Sequence, residues 1–454
     1  MRRLFLTCLL MFTFSLQADW LKAIQAYEDK KYPEARAGFT ALLPLGNAEA
    51  AFNLGVMAYY GEGQDTDLEA ALSYFLLAEK LEHPQASDIV KRVYAEATTT
   101  QRTAAEDIAA KAFAATVIKQ DARPYRFSRE QAPAAVNTPM PDIPDEVSRQ
   151  HPFGYIVLQY LVDGNGRVQV VDAVDGFPED VFNSYTFRAM RRWQYEATGK
   201  PHLMSIQLNF WVKGAMDSRS ANQVIGHKNL WQYAQLGSGR HQEMLGSVLN
   251  LISMVSGALV YVEPSLTESE SVPDLSAWFD TKKLDVSIPS FEGEVSVQTN
   301  PEGEIVRLLD VNGLKQPEPE KVIGIKIRGA EAGIFELTNN INQSRSFSRI
   351  SKRDGIIIKQ YVPVHPSLTA NYWWKKAAVN GDRRAQRILG AQREDWQFYL
   401  IQQQDAVATA WHGARLILDG EQVEGAALLQ QAKAAGYKPA AELIDALAVS
   451  VAMN

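Results

Sequence analysis

The sequence predicts a multidomain α+β chain. It should carry α-solenoid helix-pair repeats at both ends, a small antiparallel sheet with one helix, and a second β-rich region. Three observations support this. Small residues recur at helical spacing between Ala48 and Ala86 and again after Asn371; apolar–polar alternation flanks the turn Asp163-Gly164-Asn165-Gly166; and alternation returns between Leu284 and about Val364. The 454 residues exceed one comfortable core, and a hydrophobic content of 46% suffices for several packed domains.

The first element is an export signal over residues 1–18. Arg2 and Arg3 precede an apolar core from Leu4 to Leu16, and Leu16-Gln17-Ala18 offers a cleavage site. A membrane span needs about 20 apolar residues, more than this core supplies. The expectation is a periplasmic protein beginning at Asp19 with no stable membrane span; an uncleaved inner-membrane anchor is the competing reading. Cys8 is the sole cysteine, so the mature chain would hold no disulfide, thiolate metal ligand or cysteine nucleophile. Of 46 basic residues, the loss of Arg2 and Arg3 leaves 44 against 53 acidic ones. A mildly acidic chain without a basic run is a poor nucleic-acid binder.

Residues 19–122 read as helix pairs. Trp20, Ile24 and Tyr27 lie at helical spacing, and Ala35, Phe39, Leu42 and Leu43 can face them from a second helix. In the next unit, Ala51, Gly55, Ala71 and Ala78 sit where paired helices approach closely, and Gly61 and Gly63 supply the turn. The order Ala51, Asn53-Leu54-Gly55, Tyr59, Gly61, Gly63, Asp67, Ala70-Ala71, Tyr74, Ala78, His83, Ala86 resembles the Sel-like repeat, a variant of the tetratricopeptide repeat. The resemblance implies an α-solenoid that binds other proteins, with His83 a turn residue and not a ligand.

A Pro-rich connector over 123–144 leads to a sheet domain at 145–214. Ile156, Leu158, Tyr160 and Val162 share one face of a first strand, and Val168, Val170, Asp172 and Val174 continue after the turn. Asp180 to Trp193 is helical, with Phe182, Tyr185, Ala189, Met190 and Trp193 as its apolar stripe. Met204, Ile206, Leu208, Phe210 and Val212 mark a last strand.

The ordered series Pro141 and Pro144, Gly154, Val162 to Val168, Arg191-Arg192-Trp193-Gln194-Tyr195 and Gly199-Lys200-Pro201 resembles the C-terminal domain of TonB, the periplasmic energy transducer. In that family the last strand pairs with a short receptor peptide. The resemblance thus makes Ser205, Gln207 and Asn209 candidate edge contacts, and envelope proteins the expected partners: an outer-membrane receptor peptide or a component of a TonB system. A covered edge is the alternative. The chain departs from a TonB transducer in lacking its membrane helix with motor-contact residues and its long proline-rich spacer.

Residues 215–283 read as helix followed by an acidic loop, 284–365 as a β-rich domain and 366–454 as further Sel-like repeats. With Gly303 placed on Gly166, Ile305 falls on Val168 and Val311 on Val174, consistent either with a degenerate second hairpin or with ordinary hairpin grammar.

No catalytic, cofactor or metal motif is visible. The seven histidines show no ligand spacing, Asp163 to Asp172 lacks the fifth and sixth residues of a calcium loop, and Gly237-Ser238-Gly239 lacks the nucleophile-elbow pattern. The expected class is a non-enzymatic periplasmic scaffold or interaction protein. An envelope enzyme with a site invisible as a motif is the alternative.

Overall fold

The computed structural model describes residues 18–118, 132–211, 217–256, 258–279, 284–287, 293–312, 319–339 and 357–452. The core of the expected export signal, Pro124 of the connector, Val212 and Gly313 lie outside them. The fold is mixed α+β, with helices at both ends and antiparallel sheets between them. It divides into two compact units, each built from three chain segments. The first unit comprises 1–126, 236–243 and 375–409; the second comprises 127–235, 244–374 and 410–454.

In chain order, the first helices are α1 (Trp20–Glu28), α2 (Tyr32–Leu42), α3 (Ala48–Tyr60), α4 (Leu68–Lys80), α5 (Ala86–Glu96) and α6 (Thr99–Ala114). Four of these six starts are fixed by side-chain caps: Asp19 accepts from Lys22 N at α1, Asn47 from Ala50 N at α3 and Asp67 from Ala70 N at α4, while Thr98 and Gln101 form a capping box at α6. Phe39, Leu54, Phe75 and the small Ala51, Ala71 and Ala78 are buried. A Cβ on Gly55 would lie 2.7 Å from the Phe75 ring, so glycine is what lets α3 and α4 approach. His83 stacks on Phe52 at 4.1 Å, its Nε2 lies 3.1 Å from Glu49 and its Nδ1 accepts from Gln85 N, a turn-residue role.

The middle of the chain holds β1 (Ala135–Asn137), α7 (Asp145–Gln150), β2 (Phe153–Val162), β3 (Val168–Phe177), α8 (Asn183–Met190), β4 (Gln194–Tyr195) and β5 (His202–Trp211). Next come α9 (Ser218–Gly226), α10 (Leu230–Gln235), α11 (Gly239–Ser256), β6 (Leu259–Val262), β7 (Gly293–Thr299), β8 (Ile305–Asn312), β9 (Gly333–Asn339) and β10 (Ile357–Val364). Six helices close the chain: α12 (Ala370–Val379), α13 (Arg383–Gly390), α14 (Glu394–Gln402), α15 (Ala406–Leu418), α16 (Gln422–Ala434) and α17 (Lys438–Ala452).

Within the first unit the three segments meet at Asn380. Its Nδ2 donates to Gly237 O (3.2 Å) and Gln242 Oε1 (2.9 Å), its Oδ1 accepts from Asn47 Nδ2 (2.8 Å), and its carbonyl accepts from Trp20 N (3.2 Å). Asn47 and Gln242 are each only 2% exposed, so these bonds satisfy groups that have lost water. The ion pair Arg384–Glu243 at 3.2 Å ties two of these segments, 236–243 and 375–409, with Glu243 buried.

The second unit contains a three-stranded sheet in the order β3-β2-β5 and a five-stranded sheet in the order β6-β10-β9-β7-β8. Part of the predicted connector is structured: β1 pairs with β4, and Trp193 Nε1 donates to Pro139 O at 2.9 Å. The helix expected from Asp180 is shorter, α8 starting at Asn183, while Phe182, Ala189, Met190 and Trp193 are buried as its stripe requires. Strand β6, inside the stretch read as helix and loop, pairs parallel to β10; its four residues are too few for a periodic signal.

The two hairpins correspond closely. Gly166 and Gly303 both adopt left-handed φ (81° and 80°), each donating its N–H back to the turn's first residue. Each glycine carbonyl is also taken by a later backbone N–H, Tyr195 for Gly166 and Ile327 for Gly303, both at 2.8 Å. The bulge between Leu161 and Val162 recurs between Gln298 and Thr299, and the strand orders β3-β2-β5 and β8-β7-β9 match. The correspondence thus extends past the turn to strand order and to the clamp at the tip.

Candidate functional site

Strand β5 has no charged residue from Leu203 to Trp211 and pairs with β2 over ten residues without a register shift, from His202 opposite Val162 to Trp211 opposite Phe153. Among the described residues no strand pairs with its other side. Its outward backbone groups follow from the hairpin. Asp163 N donates to Arg167 O, so Asp163 directs its backbone at the β3 side. Alternation then directs odd-numbered β2 residues toward β3 and even-numbered ones toward β5. The even residues of β5 face back to β2, and the N–H and C=O groups of Ser205, Gln207 and Asn209 point outward.

The side chains sort onto two faces. Leu208 is buried and Met204, Ile206 and Phe210 are partly buried against the core that contains Met190, Trp193 and Tyr160, so their outer flanks end where β5 ends. On the opposite face Ser205 is exposed and Gln207 and Asn209 are half-buried. Gln207 Nε2 donates to Asn209 Oδ1 (3.1 Å) and to Met254 Sδ (3.0 Å). The structure therefore brings the three predicted residues together along one edge, with the α11 side chain Met254 beside them.

Other sheet edges are blunted. Strand β3 carries extra residues at two bulges and is packed by α17, β8 carries two bulges, and β6 is four residues long. Bulges and short strands are the ordinary means by which proteins prevent edge pairing. Strand β5 shows neither.

Sequence reasoning missed the closure of the second face of this sheet. Tyr155 packs with Trp231, Leu245, Val248, Leu249 and Ile252, and Phe153 and Val157 flank this core. The signal was present: the odd positions Phe153, Tyr155, Val157 and Leu161 are as apolar as the even ones, as expected of a strand buried on both faces. Two carboxylates lie on this covered face. Asp175 accepts from Tyr155 Oη at 2.5 Å, and burial, then Asp175, push the Tyr155 phenol well above its usual range. Asp172 accepts from Tyr437 Oη (2.5 Å) and Trp411 Nε1 (3.3 Å), which fixes the C-terminal helices on β3.

Burial raises the Asp172 carboxyl above its ordinary value, against hydrogen bonds from Tyr437, Trp411 and Gln159 that favour the anion. The folded protein therefore holds this proton more tightly than the unfolded chain. The resulting stability is full below the ordinary carboxylate pKa and is lost as pH rises through the raised one. On going from about pH 3.5 to about pH 7, the melting temperature of Asp172→Asn should accordingly improve relative to wild type. A difference that stays constant with pH would show that Asp172 does not titrate in this way.

The first unit carries a groove of about 800 Å³ beside Asp19, Lys22, Ser238, Arg240 and Arg383. Asp19 pairs with Lys22 at 3.1 Å. Ser238 Oγ lies 2.6 Å from His241 Nδ1, and burial followed by Arg240 lowers the His241 pKa. The Ser–His pair spans the first turn of α11. Among the described residues no cluster of three or more histidine, cysteine or acidic side chains could hold a metal, and no helix is long and apolar enough to cross a membrane.

No protein-family profile matches the chain, and no curated protein matches it. Among solved structures the chain is similar to the TonB CTD of Pseudomonas aeruginosa, determined by solution NMR. The two share 16% identity over 21% of this chain and 90% of that one, with a TM-score of 0.16. A likeness at this level carries no functional inference.

Proposed function

We propose that this chain is a non-enzymatic periplasmic interaction protein, related to TonB-type envelope transport systems, that captures an extended peptide on β5 and holds a second partner on its helical repeats. The observation that carries the reading is the long, bulge-free and uncharged outer edge of β5. The periplasmic part rests on the basic and apolar N-terminal segment, and the transport part on the motif series between Pro141 and Pro201.

Affinity on such an edge comes mainly from main-chain hydrogen bonds, each worth about 1 kcal/mol net. Gln207→Pro removes an outward N–H and leaves the ladder to β2 intact, a position at which an edge strand tolerates proline. It should weaken binding of labelled envelope-protein peptides about tenfold or more, since one donor is lost and the ring obstructs the added strand. Ser205→Ala should change affinity by less than about twofold, since no main-chain bond is lost. Equal binding by a folded Gln207→Pro variant would move the peptide site to the helical repeats.

A further inference from the structure

The five-stranded sheet shows how an edge of this kind is filled. With the two hairpins matched at Gly166 and Gly303, Val295 falls on Leu158. Val295 pairs with Leu337 and Leu158 with Ile206, so β9 stands where β5 stands. By the same register Glu336 falls on Ser205 and Thr338 on Gln207. The outer side of β9 is occupied by β10, which runs antiparallel and places Ile357 opposite Thr338, Ile358 opposite Leu337 and Lys359 opposite Glu336. Ile358 packs into the core that holds Leu337 and Phe335, and Lys359 lies 3.4 Å from Glu336. One of the two matched sheets thus carries an added strand from its own chain, and the other presents the equivalent edge without one among the described residues.

From this we infer that the partner of β5 is an antiparallel, uncharged segment of alternating apolar and neutral polar residues, with an apolar side chain opposite Ile206. This inference rests on the proposed peptide capture and adds the direction and chemistry of the peptide. The direction follows from β10 on β9. The apolar phase follows from Ile358 opposite Leu337, and from Met204, Ile206 and Phe210, whose partly buried side chains leave a core flank for every second residue of an added strand. The neutral phase follows from Ser205, Gln207 and Asn209, which replace the Glu336 that β10 meets with a lysine. A charged residue on that face would lose water without gaining an ion pair.

The test uses the full chain with Cys8→Ser and two peptides of identical composition, one alternating valine and threonine and the other with the valines grouped. The alternating peptide should bind at least about tenfold more tightly, since only it presents one apolar face to Met204, Ile206 and Phe210. Disulfide trapping then reads direction: Asn209→Cys should capture a cysteine in the N-terminal half of the peptide, and Ser205→Cys one in the C-terminal half. Equal affinity of the two peptides, or the opposite trapping pattern, with binding still lost in Gln207→Pro, would overturn this inference and leave peptide capture standing. Absence of both binding and trapping would overturn the two together.

Discussion

Asn380→Ala should destabilise the first unit by about 3 kcal/mol, since three side-chain hydrogen bonds worth about 1 kcal/mol each disappear. The loss falls on partners that cannot turn to water: Asn47 loses the acceptor at 2.8 Å, and the Gly237 carbonyl and Gln242 Oε1 lose their donor. Asn47 keeps its bond to Val379 O and its cap on Ala50 N, so α3 should still start where it does. Amide hydrogen exchange in α3 and at the start of α11 should accelerate together, because the lost side-chain bonds join both, whereas the backbone bond from Trp20 N to the residue 380 carbonyl survives the substitution. The pair Asn47→Ala and Asn380→Ala should be less than additive by about 1 kcal/mol. Unchanged protection in α3 and α11 with full additivity would show that these segments are held by packing alone.

Gly166→Ala is expected to destabilise the second unit by about 2–5 kcal/mol. Left-handed φ costs an alanine about 1–2 kcal/mol, and forced overpacking about 1–3 kcal/mol more. The crowding is specific: a Cβ there would lie 2.1 Å from the Tyr195 carbonyl oxygen, which is backbone and cannot rotate aside. Gly199→Ala is the matched control. Its φ is 77°, yet a Cβ would meet nothing within 4 Å, so only the conformational cost of about 1–2 kcal/mol applies. Chemical denaturation of the two variants separates the terms. Peptide binding should also fall in Gly166→Ala, because the hairpin tip holds the segment that enters β5 through Tyr195 N to Gly166 O and Gly199 N to Gly164 O. Equal destabilisation by the two substitutions would show that the tip is not clamped.

Local periodicity made much of this architecture readable. The alternation of Ile156, Leu158, Tyr160 and Val162, the Asp-Gly-Asn-Gly turn and the stripe of α8 each depend on neighbours within a few residues. The candidate edge was readable for the same reason, since Ser205, Gln207 and Asn209 take their common face from a period of two. What covers a face is decided by distant chain. Tyr155 alternates as any strand residue does, yet its companions Trp231 and Trp373 come from helices well beyond the sheet. Asn47 could be read as a helix cap, but its bond to Asn380 spans 333 positions and leaves no local trace. The absence of bulges in β5 was equally unreadable, because a bulge is a relation between two strands and not a residue pattern.

The interleaving of the chain through its two units sets an order of events in time. The N-terminal helices emerge early, but the asparagine that completes their hydrogen bonding follows Asn47 by 333 positions. At synthesis rates of about 5–20 residues per second, that is a wait of roughly 20–70 s. Throughout it Asn47 and Trp20 lack their partners from the 375–409 segment. The second unit is likewise incomplete until the C-terminal helices arrive with Trp411 and Tyr437. The helices between Ala51 and Ala109 can pack on one another as soon as they are made, but each unit gains its full set of long-range bonds only with its last segment, 375–409 for the first and 410–454 for the second.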